Sequence, residues 1–130
     1  MITLNLCVPG NPRTQGSITG IQRKSGGVFM KQPDGLRPWR DAIAWHARSK
    51  RPTKIEKPKS AGIYLLFTIE PPKKSRNTFP KGDVDKLARA CLDALTGICW
   101  DDDVQVTQLT ANKQWGVDPG VVIVVSEITR

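Results

Sequence analysis

The chain is poor in acids, aromatics, histidine and long apolar runs, and each shortage closes off a class of function. Its 130 residues contain a single histidine, His46. No Ser/His or Cys/His arrangement surrounds it, so nucleophilic catalysis of the triad type has no base to draw on. His46 falls in a helical segment, where a packed or exposed side chain is expected. The three cysteines, Cys7, Cys91 and Cys99, are odd in number and lack metal-ligand spacing. Reduced thiols in a cytoplasmic protein are the reading that fits them. No apolar run approaches the roughly 18 residues of a membrane span. The opening "MITLNLCVPG" has no basic segment leading into an apolar core, so no signal peptide is expected. There are no internal repeats and no low-complexity tract. One domain over 1–130 is expected, and a hydrophobic content of 38% makes its core small or shared with a partner.

The scarcity of acids has a pattern. Twelve Asp and Glu stand against twenty Lys and Arg, for a net charge of +8. Residues 1–60 carry twelve basic and three acidic residues, a net +9, and residues 61–130 carry eight and nine, a net −1. A half as basic as the first suits a polyanion, nucleic acid foremost; a scattered, solvated basic surface is the plainer alternative. Six of the nine acids in the second half lie between 83 and 103: Asp83, Asp85, Asp93, Asp101, Asp102 and Asp103. Carboxylates gathered in a phosphate-seeking protein repel its ligand unless a cation sits between them.

Periodicity places these residues on elements. "ITLNLCV" alternates as a half-buried strand, and "GGVFMKQ" reads as a second, short one. "RPWRDAIAWHARSK" reads as a helix with Pro38 in its first turn. "AGIYLLFTIEPP" is apolar enough for the centre of a sheet. From Val84 to Thr96 the pattern is helical, with Leu87, Ala88, Cys91, Leu92 and Leu95 on one face and Gly97 in the capping position. "DVQVTQLTANKQW" and "GVVIVVSEIT" read as two final strands, expected to pair antiparallel around the turn "GVDPG". The expected fold is α/β (α+β): a small mixed sheet packed with two main helices, in the order β-β-α-β-α-β-β.

Asp83 and Asp85 fall at the entrance of the second helix, and Asp101, Asp102 and Asp103 fall beyond its exit. That helix is about 17 Å long, so the two groups meet only if "GICWDD" doubles back beside the helix entrance. Were they to meet, a hard cation such as Mg²⁺ would be the natural occupant. Plainer readings stand beside this one. Asp83 suits a helix cap, Asp85, Arg89 and Asp93 suit an i,i+4 ion-pair ladder, and "DDD" suits a solvated turn.

Residues 82–106, "GDVDKLARACLDALTGICWDDDVQV", resemble the signature of the RusA-type Holliday junction resolvases. A D-x-D pair enters a helix, "LDAL" forms its body, a glycine follows, and D-D-x-Q-V comes next. "VPGNPRTQGS" and "PWRDAI" resemble the opening and first helix of the same phage and prophage proteins. The resemblance implies a homodimeric, Mg²⁺-dependent endonuclease (Mn²⁺ an alternative ion) that cuts four-way DNA junctions by paired nicks, in a bacterial or phage-infected cytoplasm. It implies that Asp83, Asp85 and Asp103 are the essential acids, with Asp102 beside them as a further ligand or orienter. Where the family has a helix lysine, this chain has Arg89, which keeps the charge but does not easily release a proton. Lys86 stands where the family often has Asn. Arg13, Arg23, Lys24, Lys73, Lys74, Arg76, Lys81 and Lys86 are the expected phosphate contacts. Phe79 is a candidate wedge at the junction centre. The rivals are a non-catalytic DNA-binding protein on the same scaffold and a metal-dependent phosphatase, the latter leaving the basic half without a purpose.

Overall fold

The computed structural model describes residues 1–15, 19–22, 28–31, 35–73 and 79–129, with backbone alone for 19–22 and 28–31. Arg23, Lys24, Lys74 and Arg76, four of the expected phosphate contacts, lie outside the described residues. The elements in chain order are β1 (Ile2–Pro9), β2 (Thr19–Gln22), β3 (Val28–Lys31), α1 (Leu36–Ser49), β4 (Ser60–Ile69), α2 (Val84–Leu95), a 3₁₀ turn (Asp103–Gln105), β5 (Val106–Trp115) and β6 (Gly120–Ile128). This is the expected α+β order, with the short strand near residue 28 now half of an antiparallel hairpin, β2–β3.

Four strands form a mixed sheet in the order β1-β6-β4-β5. Alternation along each strand puts apolar side chains on one face, and the register aligns them in rows across the sheet. Val8, Val121 and Phe67 make one row, Leu6, Ile123 and Leu65 the next, and Leu4, Val125 and Ile63 a third. All nine are buried. Helix α2 contributes Leu87, Ala88, Ala90, Cys91 and Leu95 to this core, and α1 contributes Leu36, Trp39, Ile43 and Ala47. The apolar face read from the sequence of α2 is the face it buries, with Leu92 at its margin.

The two last strands do not pair with each other as expected. β4 lies between them, antiparallel to β6 and parallel to β5. Helix α2 is the cause: it carries the chain back along the sheet, so β5 enters in the direction of β4, as a crossover requires. The link from β5 to β6 then crosses the end of β4, a two-strand step of roughly 10 Å. Gly116 permits the crossing. Its N–H donates to the Ile69 carbonyl at 3.1 Å, and a Cβ there would lie 2.4 Å from Thr68 Cγ2.

Candidate functional site

The two acidic groups occupy opposite ends of α2. Asp83 is the residue before the helix, with extended backbone (φ −72°, ψ 131°), yet its side chain accepts no hydrogen bond from the first turn. Its carboxylate projects outward, 70% exposed, and pairs with Lys86 at 3.5 Å. Asp85 follows in the first turn, exposed. The plain capping role is therefore not what the Asp83 side chain performs.

The loop that delivers Asp83 is held by a residue the sequence reading passed over. Lys113 Nζ donates to the Pro80 carbonyl at 2.8 Å and to the Gly82 carbonyl at 2.7 Å. Lys113 stands opposite Phe67 in the parallel ladder, at the end of an apolar row. Its stem thus follows the core face while its ammonium reaches polar atoms at the rim. Gly82 adopts φ +97°, a left-handed conformation, and a Cβ there would meet Thr14 Cγ2 at 3.0 Å. Nearby, Gln15 N–H donates to the Lys86 carbonyl at 3.0 Å, tying the segment before β2 to the first turn of α2.

At the other end, a tight turn presents the second group. Gly97 (φ +90°) ends the helix, its N–H donating to the Trp100 carbonyl at 2.7 Å. Trp100 is fully buried and its indole N–H donates to Thr96 Oγ1 at 3.0 Å. Gln105 is the only buried polar residue among the described residues. Its Oε1 accepts from the Asp101 and Asp102 amides at 2.8 and 3.0 Å. Its Nε2 donates to the Ile55 and Lys59 carbonyls at 3.0 and 3.1 Å. Both donors and two acceptor sites of that amide are used, which is what makes its burial tolerable.

The three consecutive aspartates have different tasks. Asp101 pairs with Lys54 at 2.6 Å, and that hydrogen bond holds its carboxyl below the usual range. Asp102 caps the 3₁₀ turn, its Oδ1 accepting from Val104 N at 3.1 Å. That backbone bond lowers its carboxyl as well. Asp103 is left exposed, without a basic partner among the described residues. Its carboxyl is raised, first by its hydrogen bond with Asp102 and then by desolvation and the charges of Asp102 and Asp93. Crowded carboxylates of this kind are hard oxygen donors of the sort Mg²⁺ takes.

The return of "GICWDD" to the helix entrance, the condition for the two groups to meet within one chain, does not occur. α2 is twelve residues long, about 18 Å. Gly82 lies level with Lys113, and the start of β5 is seven strand residues away, roughly 23 Å. The turn stays at the helix exit because Gly97, Trp100 and Gln105 fix it there. Among the described residues, no three His, Cys, Asp or Glu side chains gather into one metal-binding group. The ion-pair ladder is not formed either. Arg89 is exposed, while Asp93 turns to Arg40, 3.8 Å away, and to the amide of Gln15.

Of the described basic residues, Arg13 and Lys81 line a cleft of about 440 Å³ beside Gly82. Lys73 is exposed just beyond the prolines that end β4, and Phe79 is 73% exposed. Basic residues and two acids thus share one end of the molecule, around the entrance of α2.

The chain is similar to known proteins over most of its length. A family model described as endodeoxyribonuclease RusA matches residues 9–126. The chain is also 28% identical, over 142 aligned positions, to the uncharacterized protein YqaN of Bacillus subtilis (strain 168), with 99% of each chain covered. The matched span takes in both acidic groups, the helix between them, strands β4 and β5 and most of β6, and on that extent the chain belongs to the RusA endodeoxyribonuclease family.

Proposed function

We propose that this chain is a Mg²⁺-dependent endonuclease that cuts four-way DNA junctions by paired nicks, acting as a homodimer. The observation that carries the reading is the uncapped, exposed carboxylate of Asp83 beside Asp85, set among basic residues at the mouth of α2. Two carboxylates with a DNA phosphate and waters form a donor set suited to Mg²⁺. When bound, the ion lowers the pKa of a coordinated water and stabilises charge on the displaced phosphate.

The chain's own residues do the rest. Asp83 and Asp85 supply oxygen donors, and Lys113 keeps their loop in place. Lys81, Lys86 and Arg13 hold backbone phosphates, and Arg89, one turn on from Asp85, offers two donors to a phosphate oxygen pair. Asp102 serves the turn, and Asp103 faces outward from it.

Separation of the acids along α2 supports the dimer. A dimer in which two α2 helices run antiparallel about a two-fold axis would bring Asp103 of one copy to Asp83 and Asp85 of the other. Each dimer then holds two equivalent sites, matching the two strands to be cut. Val104, 71% exposed and next to Asp103 in the chain, supplies apolar surface for such a contact. A synthetic four-way junction with Mg²⁺ tests the reading. Paired nicking by the wild type and its loss in Asp83→Asn, with binding retained, is the expected result. Binding without cleavage by the wild type would instead favour a non-catalytic junction binder.

A further inference from the structure

The cleft beside Gly82 has more to it than its cations. Ile69, Leu87 and Trp115 give it an apolar and aromatic part of its lining. Glu70, Arg13 and Lys81 are among the polar residues that line it. Among the described residues, neither Arg13 nor Lys81 has a carboxylate within 4.0 Å. Apolar side chains, an aromatic ring, a carboxylate and two cations in one cleft match the parts of a nucleotide one by one. A base would stack on the indole, its N–H groups would donate to Glu70, and its phosphate would meet the cations. Backbone phosphate contacts need none of the apolar lining.

The cleft is also built rather than incidental. Its walls come from the segment after β1, the ends of β4 and β5, and the entrance of α2. The Gln15–Lys86 backbone bond and the Lys113–Gly82 bond hold three of these together. Its volume, about 440 Å³, falls in the range of small-ligand pockets. Gly82, the residue before Asp83, lines it, so a nucleotide seated in it would lie close to the nearer acidic group.

We propose that this cleft receives one deoxynucleotide unstacked from the DNA, with Trp115 as its stacking platform. The inference rests on the nuclease reading above and adds a specificity element to it: the enzyme takes hold where a base is free to leave the stack. At a branch point the cost of unstacking is least, so the pocket would favour branched over continuous duplex.

The test uses the whole chain and a four-way junction carrying 5-iodouracil either at the crossover or in mid-arm, without divalent metal. Ultraviolet crosslinking followed by peptide mapping reads where the base sits. The expected result is a crosslink from the crossover position to Trp115, and none from mid-arm to that residue. Trp115→Ala should lose this crosslink and bind the junction roughly 5- to 100-fold more weakly, while Trp115→Phe retains most of the affinity. Wild-type binding with crosslinks elsewhere overturns the pocket and leaves the nuclease reading standing. Failure of the wild type to bind the junction overturns that reading and the pocket with it. The mapping on wild type decides the matter even if Trp115→Ala does not fold.

Discussion

Lys113 and Gly82 are joined by a 2.7 Å hydrogen bond from the ammonium of one to the carbonyl of the other, across the rim of the sheet. Gly82 is the residue before Asp83, so the end of β5 sets where the first acid stands. Lys113→Met should leave the Pro80 and Gly82 carbonyls without their donor, at a cost of about 1–3 kcal/mol in stability. Junction cleavage should fall far more than junction binding, and Lys113→Arg should recover part of it. Denaturant midpoints and a cleavage-against-binding comparison check this; equal losses in both would place Lys113 among the DNA contacts instead.

At the other end of α2, Gln105 holds the aspartate turn with four hydrogen bonds. Gln105→Ala should destabilise by roughly 2–4 kcal/mol, because buried amides and carbonyls lose their partners. Gln105→Glu should fare no better, since a carboxylate cannot donate to the Ile55 and Lys59 carbonyls. Asp102→Ala removes the cap of the 3₁₀ turn together with an exposed pairing to Lys57, a loss of about 1 kcal/mol. Chemical denaturation of the three variants gives this order or refutes it.

Much of this was legible in the sequence, and the failures are instructive. The period of Val84–Leu95 and the alternation of β1 declare their buried faces directly, because a face that meets one core repeats at one period. Strand pairing is different. Nothing local in "GVVIVVSEIT" says that β4 will lie between it and β5; that follows from α2 carrying the chain over. The distance between the acids failed for a related reason. The resemblance grouped them in one site, and the sequence alone left open whether they meet in one chain; Trp100 and Gln105 fix the turn at the far end of the helix. A signal for Lys113 was present: Leu109, Ala111, Lys113 and Trp115 share one parity in β5, so a lysine stands in an inward position. Read as charge alone, it conveyed nothing.

The raised carboxyl of Asp103 carries a pH dependence. An acid whose folded pKa lies above its unfolded value contributes stability while protonated, and that contribution is lost as pH rises through the folded pKa. Asp103→Asn should therefore melt higher than the wild type at neutral pH, with the difference shrinking as pH falls below the ordinary aspartate range. Melting temperature against pH shows it. A gain in stability together with a loss of cleavage would mark Asp103 as a group kept for chemistry at the expense of the fold.

The cysteines should divide two to one. Burial pushes the Cys99 thiol up to about 12 and Cys91 well above its usual range, while Cys7 is exposed. A thiol reagent at pH 8 should titrate one cysteine in the native protein and all three after unfolding. Rapid reaction of more than one would contradict the packing of α2 against the sheet.

The central claim is that acids at opposite ends of α2 act together because two copies share them. Mixing Asp83→Asn with Asp103→Asn, each inactive alone, tests it most directly. If each site takes Asp83 and Asp85 from one copy and Asp103 from the other, a mixed dimer holds one site with both lesions and one intact. Random exchange should then restore nicking at about a quarter of the wild-type sites, mostly as single nicks. If all the acids of a site come from one copy, every site in the mixture carries a lesion, and no activity returns.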